Sequence, residues 1–204
     1  MARAQTGGES HDAIDLLMED HKRVQKIFDD FETVDRDDAE AVQELVETAC
    51  MELQLHSMLE EEIFYPAVRA QINDAEQDAN DLLNEAEVEH ETVDDLVAKL
   101  QELEPDDAMY AAYFSVLAEY VKHHVKEEEK ELFPAVRQMP LDLAQLGDDM
   151  RTRREELFAE LEADEETDED TEGSAEDDSA VPEEQDEGFE DEQEQIDIAS
   201  RTKH

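Results

Sequence analysis

The chain has 204 residues, with 63 acidic against 16 basic side chains and a formal charge of −47. A field of that sign repels phosphate backbones and anionic lipid headgroups, so neither nucleic acid nor a membrane surface is an expected partner. Hydrophobic residues reach 39%, enough for one core, and no stretch approaches the roughly 20 apolar residues that cross a bilayer.

Residues 1–9 carry no apolar run of the kind a secretory leader needs, and read as a flexible start to a cytoplasmic protein. Ser10 is placed to cap a first helix over about 11–32, with Ile14, Leu17, Met18, His21, Val24, Phe28 and Phe31 in one stripe. Asp37 with Glu40 has the spacing of a capping box for a second helix. Its face carries Val42, Leu45, Ala49, Leu53, His56, Glu60, Ile63 and Ala67, and Pro66 should bend it or end its regular part. Asn73 with Glu76 repeats the capping signal before a third helix that aligns Leu83, Ala86, His90, Val93, Val97 and Leu100. Pro105 suits the first position of a fourth helix, whose stripe is Phe114, Leu117, Val121, His124, Glu128, Leu132 and Ala135.

A fifth helix is expected over about 141–161, packing Leu143, Leu146, Met150, Leu157 and Phe158 on the others, with Arg151, Arg153 and Arg154 facing acidic surface. From 162 to 200 there are 20 acidic residues and no basic one. Such a composition cannot bury enough apolar area to offset ordering entropy, so 162–204 reads as a disordered acidic tail. No segment reads as a strand. The expected fold is all-α: an antiparallel up-down four-helix bundle over 10–161, including the additional C-terminal helix, and then the tail. The bundle is itself strongly acidic, and self-repulsion at low salt points to a host with a salt-rich cytoplasm. Cys50 is the single cysteine, so an internal disulfide is impossible.

The chain contains an internal repeat. His56 and Glu60 lead into Phe64-Tyr65-Pro66-Ala67-Val68-Arg69, and His124 and Glu128 lead into Leu132-Phe133-Pro134-Ala135-Val136-Arg137. His21 stands 35 residues before His56, and His90 stands 34 before His124. Two copies of one helical hairpin packed about a pseudo-twofold axis bring His21, His56, His90, His124, Glu60 and Glu128 to the bundle centre. A histidine on an apolar stripe is ordinarily a satisfied core residue. A carboxylate there is costly unless a cation or a metal offsets it, and both glutamates fall on such stripes. His11, His123 and His204 lie off the pattern and read as surface residues.

Four imidazoles and two carboxylates, with no thiolate, fit non-haem iron better than structural zinc. Two glutamates shared between two metals leave each with two histidines and open positions, a prescription for two carboxylate-bridged Fe ions with room for an oxo bridge. A ferritin-like centre needs Glu-x-x-His on two helices. Glu87 with His90 supplies one, but positions 121 and 53 are Val and Leu.

His21, the His56/Glu60 pair with Phe64-Tyr65-Pro66, His90, and His123-His124 with Glu127-Glu128 and Leu132-Phe133-Pro134 together resemble the hemerythrin HHE cation-binding family over about residues 11–160. The resemblance implies a four-helix bundle around a carboxylate-bridged di-iron centre. It also implies a role in binding or sensing O2 or NO, in handling iron, or in repairing iron centres. Oxygen-carrying members have two histidines four apart on the third helix; here Ala86 and Asp94 flank His90 at that spacing. Repair-linked members carry an added cysteine-bearing domain with no counterpart in these residues. The expected function is a di-iron protein that binds or senses O2, NO or a related small oxidant, or handles iron. The alternatives are a di-iron redox enzyme that reduces peroxide or NO or repairs iron centres, and a metal-free acidic interaction module.

Overall fold

A computed structural model describes residues 11–72 and 77–172, with side chains described over 11–72 and 78–160. The described residues are helical and contain no strand: α1 (Ala13–Thr33), α2 (Ala39–Leu59), α3 (Gln77–Gln101), α4 (Tyr110–Glu127) and α5 (Leu143–Glu172). Each of α1–α4 packs on two neighbours, α1 on α2 and α4, and α3 on α2 and α4, which closes an antiparallel four-helix bundle. The chain divides into a unit over 1–165 and a second over 166–204, of which the helical stretch 166–172 is described.

Several helix starts differ from expectation. The cap of α1 is Asp12, whose carboxylate accepts the Asp15 N–H at 2.9 Å; Ser10 lies outside the described residues. At α2 the cap is Asp38, accepting from Ala41 N–H, while the Asp37 N–H is spent in the preceding turn on Asp35. The Asn73 and Glu76 signal lies outside the described residues. Pro105 does not open α4. It sits in a turn closed by Asp107 N–H on the Glu104 carbonyl, and the helix begins at Tyr110.

Both α2 and α4 run on through one π-helical turn, Glu60–Phe64 and Glu128–Leu132, into short α segments, Tyr65–Arg69 and Phe133–Val136. The Tyr65 N–H reaches back to the Glu60 carbonyl, and Phe133 to Glu128, a five-residue ring in each copy. Pro66 thus ends the regular α-helix at Leu59 rather than at itself. The extra residue also advances the stripe. Ile63, Ala67 and Ala135, expected inside, are half-buried, and Phe64, Val68 and Val136 are fully buried instead.

Two apolar clusters fill the bundle. One gathers Val24, Phe28, Phe31, Leu53, Val93, Phe114 and Leu117; the other gathers Leu17, Leu59, Phe64, Leu83, Leu132 and Phe133. Phe114 meets Phe28 and Phe31 edge-on at 5.6 and 4.3 Å between centroids, a favourable quadrupole arrangement. Eight described polar residues are buried beside the clusters: Asp20, His21, His56, Ser57, Glu60, His90, His124 and Glu128.

The fifth helix lies on the first hairpin. Leu146, Met150 and Leu157 join the cluster that contains Ala13, Leu16, Leu55 and Leu59. Arg153 pairs with Glu62 at 2.7 Å, and Arg154 with Asp20. Arg151 pairs with Asp148 on its own helix and donates to the His11 carbonyl. Phe158, expected to pack, is exposed. The backbone continues as helix to Glu172 rather than ending near Leu161; residues 173–204 of the expected tail lie outside the described residues.

Gly147 is where α5 touches the start of α1. A Cβ there would lie 2.8 Å from the Ala13 nitrogen and 2.9 Å from the Asp12 carbonyl carbon. Backbone cannot yield as a side chain can, so Gly147→Ala should cost about 1–3 kcal/mol through overpacking. A urea midpoint equal to wild type would show that the two helices are not held at that separation.

Candidate metal centre

His21, His56, His90, His124, Glu60 and Glu128 come together as two histidine pairs spanned by two carboxylates. His21 and His56 approach with their Nε2 atoms 3.3 Å apart, and His90 and His124 at 3.2 Å. Glu60 Oε2 lies 3.2 Å from His56 and 3.4 Å from His90. Glu128 Oε2 lies 3.2 Å from His21 and 3.4 Å from His124. Each carboxylate therefore touches one histidine from each pair. This follows from helix geometry: the i, i+4 step puts His56 above Glu60 and His124 above Glu128, and antiparallel packing brings α1 and α3 against them.

The donor set fits a metal ion. Donors about 2.1 Å from one ion lie about 3 Å apart at octahedral angles, close to the spacings seen here. Glu60 Oε1 and Glu128 Oε2 are fully enclosed and accept no hydrogen bond, although a carboxylate can accept several. A metal ion would satisfy them. Four nitrogens and two carboxylates can hold cations, and one group of four, His56, Glu60, His124 and Glu128, converges within 4.8 Å.

Three further carboxylates hold histidines from behind, and a fourth stands near His56. Glu129 takes His21 Nδ1 at 3.1 Å, Glu61 takes His90 Nδ1 at 2.8 Å, and Glu89 takes His124 Nδ1 at 2.9 Å. Asp20 stands 3.6 Å from His56 Nδ1, too far for a hydrogen bond, because Arg23 and Arg154 draw it outward. A carboxylate can only accept, so Nδ1 carries the proton and Nε2 is left free toward the centre. Sequence reasoning missed this layer. Its signal was present: an acidic residue precedes both His21 and His90, and a second glutamate follows both Glu60 and Glu128.

Among the residues in contact with the two central carboxylates, Tyr65 breaks the twofold. Tyr65 and Phe133 hold equivalent positions and stack on His90 and His21, each at 5.7 Å. The Tyr65 hydroxyl reaches both carboxylates, at 3.2 Å from Glu60 and 3.1 Å from Glu128. No periodicity distinguishes it from Phe133, and sequence reasoning missed it too. Burial, with the two carboxylates adding to it, raises the Tyr65 pKa well above 10.0.

Burial pulls the His21 pKa down, but Glu128, Glu60 and Glu129 outweigh it and hold it at about 9. His90 is likewise held at about 10 by Glu60 and Glu61 against burial. Burial raises the Glu128 carboxyl, and His124 and His21 overcome that to lower it. In the metal-free protein both histidines thus bind protons more tightly folded than unfolded, where the pKa is 6.5. Their contribution to stability is whole below pH 6.5 and is lost as pH rises through about 9 to 10. The urea midpoint of chelator-stripped protein should fall across that window. A midpoint that stays level from pH 6.5 to 10 would count against the proton-bridged centre.

On the histidine side of the centre lies a cavity of about 20 Å³ lined by Val24, Leu53, Val93 and Val121 as well as the four imidazoles. That is room for one water-sized molecule, against walls that offer it few hydrogen bonds.

Fold and centre together define a helical bundle built to hold cations between buried histidines and carboxylates. The hemerythrin HHE cation binding domain matches residues 12–136, and the chain belongs to that family. A Nostoc protein described as a DNA nickase is 28% identical over 123 residues, 60% of this chain and 33% of its own length. The chain therefore spans about a third of that relative. The crystal structure of a hemerythrin HHE cation binding domain-containing protein from Mycobacterium kansasii superposes with a TM-score of 0.59 at 24% identity. That match covers 71% of this chain and 86% of the other, and supports the fold. Among the described residues no helix is long and apolar enough to cross a membrane.

Proposed function

We propose that the chain holds two iron ions between Glu60 and Glu128 and binds or senses a small neutral molecule, O2 or NO, or a related oxidant. The observation that carries this reading is the double span: each carboxylate touches both histidine pairs, beside an apolar cavity of about 20 Å³. Iron bound there would supply open coordination positions and one-electron chemistry. The protein's own part is to fix the imidazole tautomers through Glu61, Glu89 and Glu129, and to present valine and leucine side chains that favour an uncharged ligand. A cytoplasmic, salt-rich setting fits the charge. No nucleic-acid partner is proposed, since −47 formal charges repel phosphate, and the nickase description belongs to a relative of which this chain spans a third.

A redox enzyme is the second reading, and Tyr65 favours it. Its hydroxyl is a hydrogen-bond donor in contact with both carboxylates. The deciding experiment is metal analysis with absorption spectra of the reduced and air-exposed protein. Two irons per chain and a reversible spectral change support binding; turnover of peroxide supports the enzyme. A colourless protein without iron after expression in ample iron overturns both.

A further inference from the structure

The two hairpins bring matching histidines and glutamates to the centre and differ on their outer flanks. On the first hairpin, Asp20, Leu55 and Leu59 are buried, α5 packs on this flank, and Arg154 pairs with Asp20. The equivalent positions of the second hairpin are Glu89, His123 and Glu127. The His123 side chain is 56% exposed there, where Leu55 is buried in the first hairpin.

These three side chains converge. His123 Nε2 lies 3.2 Å from Glu127 Oε1 and 3.8 Å from Glu89 Oε1, and one ligand atom from each falls within 4.8 Å of the others. Exposed carboxylates are abundant on this chain. Among the described residues, this is the one place outside the centre where two of them meet an imidazole in that way. A cavity of about 10 Å³ touches Glu89 and Glu127 of the trio and His124 and Glu128 of the centre, with Leu82, Ala86 and Leu132 closing it. Glu128, 2% exposed, belongs to the buried centre, where its Oε2 lies 3.2 Å from His21 and 3.4 Å from His124. The other oxygen of Glu89 already holds His124 at 2.9 Å. Side-chain exposure falls from 56% at His123 through 28% at Glu127 and 16% at Glu89 to 6% at His124.

We propose that Glu89, His123 and Glu127 form a second metal site, which takes one divalent first-row ion from solvent and passes it inward to the buried centre. The transfer step rests on the metal-centre reading above; the surface site does not. One imidazole and two carboxylates suit Fe2+, Mn2+, Co2+ or Zn2+, with water completing the shell. Three partly exposed ligands hold an ion more weakly than the enclosed six. A route in needs that gradient, because an ion must be able to leave the outer site. The first hairpin cannot offer the same route, since Leu55 and Leu59 supply no ligand and Arg154 neutralises Asp20.

The test uses the full chain, stripped with chelator and held in about 1 M KCl, where the Debye length of about 3 Å suppresses diffuse ion binding. Filling with Co2+ is followed by stopped-flow absorption, and final content by metal analysis. His123→Ala and Glu127→Gln should fill the centre about tenfold more slowly and reach the wild-type content of buried Co2+. Wild type should also bind one further, weakly held Co2+ that His123→Ala lacks. Glu131→Gln, which removes a nearby exposed carboxylate outside the trio, should fill at the wild-type rate. Equal rates in His123→Ala and wild type overturn the proposal, as does a Glu131→Gln rate slowed as much as the others. A wild-type chain with one weak Co2+, lost in His123→Ala, and none buried overturns the centre and the transfer while upholding the surface site.

Discussion

If the centre holds two ions as proposed, Glu60→Ala is expected to lower both together, leaving less than about a tenth of the wild-type content at matched free metal. The reason is geometric. Glu60 Oε2 lies against His56 of one pair and His90 of the other, so no single ion owns it. Glu128→Ala should behave alike, since its carboxylate spans His21 and His124. His21→Ala should differ, because it removes a nitrogen from one pair and leaves His90 and His124 with both carboxylates. Metal per chain by elemental analysis, with circular dichroism to verify the fold, separates the cases. Loss of one ion and full retention of the other in Glu60→Ala would sink the shared-carboxylate centre.

Salt should govern stability. Between about 1 M and 0.1 M KCl the thermal midpoint should fall by about 10–20 °C, which is what roughly 5 kcal/mol amounts to in a chain of this size. With 16 basic residues against 63 acidic ones, most carboxylates have no cation to pair with. The cations that exist are largely committed, as Lys26 is to Asp30 and Arg137 is to Asp12 and Asp15. The remaining repulsion acts between helix surfaces and is screened as the Debye length shrinks from about 10 to about 3 Å. A midpoint highest at low salt would remove the case for a salt-rich setting.

The hairpin repeat was legible because its ligands recur at matching intervals, and because a buried glutamate on an apolar stripe announces itself. The stripes of α1 and α3 were legible for a related reason: Val24, Phe28, Leu83 and Val97 keep helical period without interruption. Where the period broke, the reading slipped. One extra residue in each π turn rotated Ile63 and Ala67 partly out and Phe64 and Val68 in, and no local propensity marks such a turn. Helix starts slipped from Ser10 to Asp12 and from Asp37 to Asp38, where neighbouring residues offer nearly equal caps, and from Pro105 to Tyr110, where the proline serves a turn instead.

Sequence alone determined an all-helical, acidic chain with two copies of one hairpin and six candidate ligands on its inward faces, since periodicity and residue chemistry are local properties. Tertiary packing alone decided which carboxylate meets which histidine, that Glu61, Glu89 and Glu129 steady the imidazoles, and that Tyr65 breaks the twofold. It also decided that α5 lies on the first hairpin and leaves Glu89, His123 and Glu127 open. Those contacts join residues on different helices, and their partners are chosen by how whole helices pack rather than by any neighbour along the chain.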